Sequence, residues 1–184
     1  MKRLTAAIML ILIGAVIFAS NPISFSGRYA LVGSDGRTIR RTSVDVEGTG
    51  VVLATGEEKA KAEGSAFSLI LGENSLAAIK DEEGLVIYLV YGNATVVSGD
   101  ERDIAVYTPT TKTTLSAKGE YHFISLDKEE KAYNFSSPDI ELYDSIRGTY
   151  TTLSYNEGYD YIKGIKIEAD ENKRYLETPI HVLT

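Results

Sequence analysis

The sequence predicts an all-β fold, a sandwich or barrel-like stack of short, mostly antiparallel strands, with an apolar signal or anchor helix at its start. Apolar-rich runs such as "RYALV", "VVLA", "AFSLIL", "LVIYLVY" and "EYHFISL" follow one another at short intervals. The segments between them, "GSDGR", "TGEE", "GENS", "GN" and "DKEEK", hold the residues that turns require. Gly and Asn reach positive φ, Asp and Ser solvate bends, and Val, Ile, Tyr and Phe suit the pleat between them. There are only four prolines to interrupt strands.

Taken in order, the first element is Leu4 to Ala19, an uncharged and almost wholly apolar run behind Lys2-Arg3 and ahead of Ser20-Asn21-Pro22. That is the order of an export signal, and the positive start stays inside, so the rest of the chain is expected outside the cytoplasm, in the periplasm or an equivalent space. If the segment is not cleaved it is an inner-membrane anchor, although a helix of this run reaches only about 24 Å against a hydrocarbon core of about 30 Å. Residues 4–19 are then the only membrane contact. Residues 1–20 are read as signal or anchor, 21–137 as one β domain and 138–184 as a tyrosine-rich β extension, with Ser136-Ser137-Pro138-Asp139 as the joint.

Within the β domain, Glu57 to Glu63, "EEKAKAE", has no apolar stripe and reads as a solvated loop with at most a helical turn. Leu85 to Tyr91 is apolar at every position and reads as a central strand covered on both faces. In "YHFIS", alternation puts Tyr121, Phe123 and Ser125 on the core side, opposite His122 and Ile124. Pro109 lacks an amide hydrogen and ends the ladder of "IAVY", after which Thr110 to Thr114 returns as an exposed strand. Beyond Pro138 the strand pattern continues through "TYTTLSY" and "YDYIKGIKIEA", punctuated by Gly148, Gly158 and Gly164.

Several chemistries have no residues to perform them. Without cysteine there is no disulfide, thiolate metal site, cysteine nucleophile or lipidated bacterial N-terminus. A net charge of −7 opposes nucleic-acid binding. The acidic clusters Glu57-Glu58, Asp81-Glu82-Glu83, Asp100 to Asp103 and Asp127 to Glu130 read as solvated turn tips, since none has the ligand spacing of a calcium loop. His122 and His181 lie far apart, and the carboxylate pairs Asp139/Glu141 and Glu168/Asp170 read as solubility features. "GTG" at Gly48 to Gly50 is a bend with no phosphate-loop lysine or following helix. No enzyme activity, cofactor, metal or catalytic residue is therefore expected.

The order of signals from Gly64 to Leu126 resembles the FecR-type extracytoplasmic domain. A small-residue strand meets an Asn74-Ser75 turn, a hairpin bends at Gly92, a strand ends at Thr108-Pro109, and Gly119 opens an aromatic strand. Glu120 stands where that family usually has threonine. The resemblance implies a non-catalytic envelope module that gives or receives a protein contact, so an envelope protein is the expected partner. Only Met1, Lys2 and Arg3 precede the apolar run, so direct control of a sigma factor from a cytoplasmic segment is not part of that expectation.

One concentration of side chains stands apart from the strand pattern. Tyr150, Tyr155, Tyr159 and Tyr161 fall close together, and Tyr159 and Tyr161 are two apart on an expected strand. Exposed tyrosines on a β surface combine apolar area with a hydrogen-bonding tip and can stack on sugars or anchor a protein. A Tyr155–Tyr161 face binding a cell-wall or surface glycan is the alternative to the scaffold reading; the same spacing also suits tyrosines closing a small core.

Overall fold

The computed structural model describes residues 22–40, 42–44, 50–81, 84–99 and 103–169. The expected signal or anchor helix, His181 and Asp170 lie outside these residues, as does most of the Gly48 to Gly50 bend. Among the described residues the chain is all β, with no helix and fourteen strands. These are β1 (Ile23–Gly33), β2 (Ser43–Val44), β3 (Val51–Glu63), β4 (Phe67–Leu71), β5 (Leu76–Asp81), β6 (Leu85–Ser98) and β7 (Ile104–Tyr107). They continue as β8 (Thr111–Leu115), β9 (Gly119–Leu126), β10 (Glu129–Asn134), β11 (Ile140–Asp144), β12 (Thr149–Leu153), β13 (Glu157–Asp160) and β14 (Ile165–Glu168).

The pairing forms one hydrogen-bonded network, but the three long strands divide it into two layers. The second half of β1, the first halves of β3 and β6, and β5, β7, β8, β11 and β12 make layer A. The first half of β1, the second halves of β3 and β6, and β2, β4, β9, β10, β13 and β14 make layer B. Strands that pass between layers need a bend, and a bend needs a residue free of side-chain constraint. Gly92 supplies it in β6 with φ +96°, where a Cβ would fall 2.0 Å from Ser75 Oγ. In β1 the register shifts beside Gly27.

The turn between β4 and β5 fills this corner. Asn74 sits at φ 49°, and its amide donates to Gly56 O at 2.6 Å. Ser75 N–H donates to Thr55 Oγ1 at 2.9 Å, while Asn93 N–H donates to Ser75 Oγ at 3.0 Å. The Asn-Ser turn picked out in the sequence is part of this joint, but Gly92 opens no hairpin: β6 runs through it from Leu85 to Ser98, and its two halves pair in different layers. The bend also explains how β6 and β7 pair in parallel across a short connection, because such a pair needs a long crossover. The second half of β6, lying in layer B, is that crossover.

The core fills the space between the layers. Leu31, Leu53, Ile79, Ile87, Leu89, Ile104, Leu115 and Leu142 point in from layer A, and Phe25, Leu69, Val96, Tyr121, Phe123 and Tyr159 from layer B. Residues beyond Pro138 continue both layers. β11 pairs with β8 and β13 pairs with β10, while Asn134 Nδ2 on β10 donates across to Leu153 O on β12 at 3.0 Å.

Three local expectations are corrected and two are borne out with added detail. Glu57 to Glu63 is the second half of β3, because alternation buries Ala60 and Ala62 while the charged residues between them stay at the surface. Leu85 to Tyr91 is central but covered on one face only, leaving Tyr88, Val90 and Tyr91 exposed. The "YHFIS" strand is covered on both faces, and Ile124 joins Tyr133 and Phe135 in a second apolar cluster. Thr111 and Thr113 are buried in β8, an interior strand between β7 and β11. "YDYIKGIKIEA" is a hairpin, β13 and β14 around residues 161–164.

Candidate functional site

The four tyrosines singled out by spacing do not form one surface. Tyr159 and Tyr161 are buried edge-on against each other, ring centroids 4.9 Å apart, as part of the central core. Burial pushes the Tyr161 hydroxyl well above its ordinary pKa, as burial of a neutral phenol does. Tyr155 is 56% exposed in the β12–β13 turn, and Tyr150 is 67% exposed on β12. A face running from Tyr155 to Tyr161 is therefore absent: its last two members point inward.

Tyr150 instead ends a different row. In antiparallel and parallel pairs alike, residues directly opposite share a face. Following the register across layer A gives Val32, Val52, Ala78, Tyr88, Tyr107, Lys112, Tyr143 and Tyr150, each opposite the next. All eight lie on the face turned away from the core, and none is fully buried. The Tyr88 and Tyr107 rings stack at 4.9 Å, Lys112 Nζ lies 5.6 Å from the Tyr107 ring centroid, and the Tyr143 and Tyr150 rings meet at 5.0 Å.

At its Tyr150 end the row opens into a groove of about 660 Å³. Tyr143, Tyr150 and Ile140 provide its apolar wall; Lys112, Thr114, Ser116, Asp139 and Glu141 provide charged and hydroxyl groups. The arrangement supplies ring faces beside hydrogen-bonding groups. Spacing could not reveal this, because Tyr88, Tyr107, Tyr143 and Tyr150 are brought together by strand register alone.

A second constellation clasps the two layers at one end, and sequence reasoning missed it. Asp144 ends β11, buried, and Tyr159 of layer B donates its hydroxyl to Asp144 Oδ2 at 3.1 Å. Arg147 Nη1 donates to the same oxygen at 2.9 Å and to Tyr161 O at 2.6 Å, and Nη2 to Ile162 O at 3.1 Å. Burial pushes the Asp144 carboxyl up, but hydrogen bonds from Arg147, Tyr159 and the Ile146 amide outweigh it and leave the pKa below its ordinary value. Nearby, Glu130 is buried rather than solvated. Its Oε1 accepts hydrogen bonds from the Thr108 hydroxyl and, at 3.0 Å, from the Thr110 amide, which fixes the turn around Pro109.

The signal for this clasp is an internal repeat. "YDSIRG" at Tyr143 to Gly148 recurs as "YDYIKG" at Tyr159 to Gly164. Both copies build the same turn. Asp144 Oδ1 accepts from the Arg147 amide at 3.1 Å, and Asp160 Oδ1 from the Lys163 amide at 3.0 Å. Gly148 and Gly164 close the two turns at φ +67° and +71°. Arg147 of the first copy lies across the second, where a Cβ on Gly164 would fall 2.2 Å from Arg147 Nε.

No protein-family model matches this chain, and no curated protein matches it. Among solved structures the chain is similar to two crystal structures described as a "putative anti-sigma factor" from Parabacteroides distasonis ATCC 8503. One has a TM-score of 0.58 at 13% identity over 68% of this chain, the other 0.56 at 14% over 67%. In both cases the match spans 62% of the solved chain. At such identity the likeness is one of fold, and function has to be argued from sites.

Proposed function

We propose that this protein is an exported, non-catalytic module of the bacterial envelope, of the FecR type, that works through contact with another envelope protein. The observation that carries the reading is the β fold, similar over 62% of their length to the two solved structures described as a "putative anti-sigma factor". It is supported by the place of the FecR-like signals: the Asn74-Ser75 turn and Gly92 lie together at the corner joining the layers, and Pro109 closes the β7–β8 turn. The signal-like segment at residues 4–19 supports a contact outside the inner membrane.

Two measurements on the full chain in cells test it. A C-terminal phosphatase reporter active only outside the cytoplasm is expected to be active; an inactive, stably produced fusion overturns export. Photo-reactive residues placed at exposed positions such as Arg28, Ile146 and Tyr155 are expected to yield a discrete adduct with one envelope protein. If every position returns only unmodified chain, the contact reading fails.

A further inference from the structure

We propose that the outer face of layer A is a binding site for a linear, uncharged, β-linked glycan, laid along the row from Tyr88 to Tyr150 with its end in the groove beside Tyr143. The proposal does not depend on a protein partner. It starts from shape. The row crosses β6, β7, β8, β11 and β12, and with strands about 4.8 Å apart it spans roughly 19 Å across the sheet face. A β-1,4-linked chain is a flat ribbon of comparable repeat, whereas an α-linked chain coils away from such a face.

The chemistry of the row matches as well. Pyranose rings present patches of C–H on their faces and hydroxyls at their edges, so a site for them needs aromatic faces flanked by hydrogen-bonding groups. Tyr143 and Tyr150 provide the first, and Thr114, Ser116, Asp139, Glu141 and Lys112 the second. The groove volume lies within the range of small-ligand sites, about 300 to 1,000 Å³. Protein interfaces are depleted of charge at their centre. Here Lys112 lies at the centre, between the two tyrosine pairs. One lysine against two carboxylates leaves the groove one net negative charge, which disfavours an acidic polymer and is compatible with an uncharged one.

The test titrates the purified full chain with three hexamers by calorimetry: β-1,4-linked N-acetylglucosamine, β-1,4-linked glucose and α-1,4-linked glucose. Binding of one or both β-linked hexamers, with none of the α-linked one, is expected. The Tyr143→Ala, Tyr150→Ala double variant should bind at least about tenfold more weakly. Tyr155→Ala, also exposed but off the row, should bind as wild type does. Tyr150→Ala alone, which removes a ring two-thirds in solvent, keeps the test standing if the double variant does not fold. The proposal is overturned if no hexamer binds, if Tyr150→Ala and the double variant both bind like wild type, or if a photo-probe at Tyr150 captures an envelope protein while all three sugars are ignored. Release of shortened sugars would overturn it too, since the face is assigned binding without cleavage.

Discussion

The outer faces of the two layers are built to the same plan and end differently. On layer B the register runs Ser26, Lys61, Ile70, Thr95, His122, Tyr133, Gly158 and Ile167, again one residue per strand. Its middle is buried. Thr95 Oγ1 is 3.0 Å from His122 Nδ1, His122 stacks on Tyr133, and Tyr133 stacks on Phe135. Leu126, Ile167 and Ala169 pack against this cluster. On layer A the matching row stays at the surface, with Tyr88 42% and Tyr150 67% exposed. Two rows of like length therefore serve different ends: one adds to the packed interior, and the other leaves ring faces available to a ligand.

The comparison can be broken most forcefully at Tyr133. Tyr133→Ala removes a buried ring from layer B and is expected to cost about 3–5 kcal/mol, read as a shift in urea midpoint. A loss under about 1 kcal/mol would show that layer B's outer face is no more packed than layer A's.

Asp144→Asn tests the clasp that holds the layers in register. It leaves Arg147 and Tyr159 without their carboxylate and is expected to cost about 2 kcal/mol at neutral pH. The pH dependence follows from the lowered pKa of Asp144. A carboxylate with a depressed folded pKa contributes stability that is complete above its unfolded pKa of about 3.9 and is lost as pH falls through the lower folded value. Urea midpoints of wild type should fall more steeply below about pH 4 than those of Asp144→Asn; parallel acid limbs would remove Asp144 from the account.

Thr95→Val keeps the shape of the buried threonine and deletes its hydroxyl beside His122, for an expected loss of about 1–2 kcal/mol. The smallest effect belongs to Tyr88→Ala on the exposed row, below about 1 kcal/mol in the same denaturation experiment, since the ring gives up one stacked neighbour and little burial. If Tyr88→Ala cost as much as Tyr133→Ala, the layer A row would be a stability feature and its availability to a sugar would be lost.

The fold was legible where turn chemistry is local. Asn74 and Pro109 set turns between strands and Gly92 a bend within β6, each a backbone condition imposed on its own neighbours. Which face is covered was not legible, because it depends on what lies across the sheet. The all-apolar "LVIYLVY" left parity undecided, and only its odd positions from Leu85 to Leu89 point inward. "EEKAKAE" hid a strand behind five charges, since alanine gives a weak apolar signal even when fully buried. For the site, Tyr150 was found from sequence but grouped with the wrong partners. Sequence proximity joined it to Tyr159 and Tyr161, while pairing joined it to Tyr143, Tyr107 and Tyr88. The "YDSIRG" and "YDYIKG" repeat was visible without any structure, and it marks the Asp144 clasp.

The three strands that run through both layers carry one more consequence. A sandwich whose sheets are separate can slide or open about the loops between them, but β1, β3 and β6 are each shared by both sheets here. Shear between the layers would have to distort the ladders of these three shared strands. A pull on one layer therefore reaches the other along three continuous backbones as well as through the packed side chains between them.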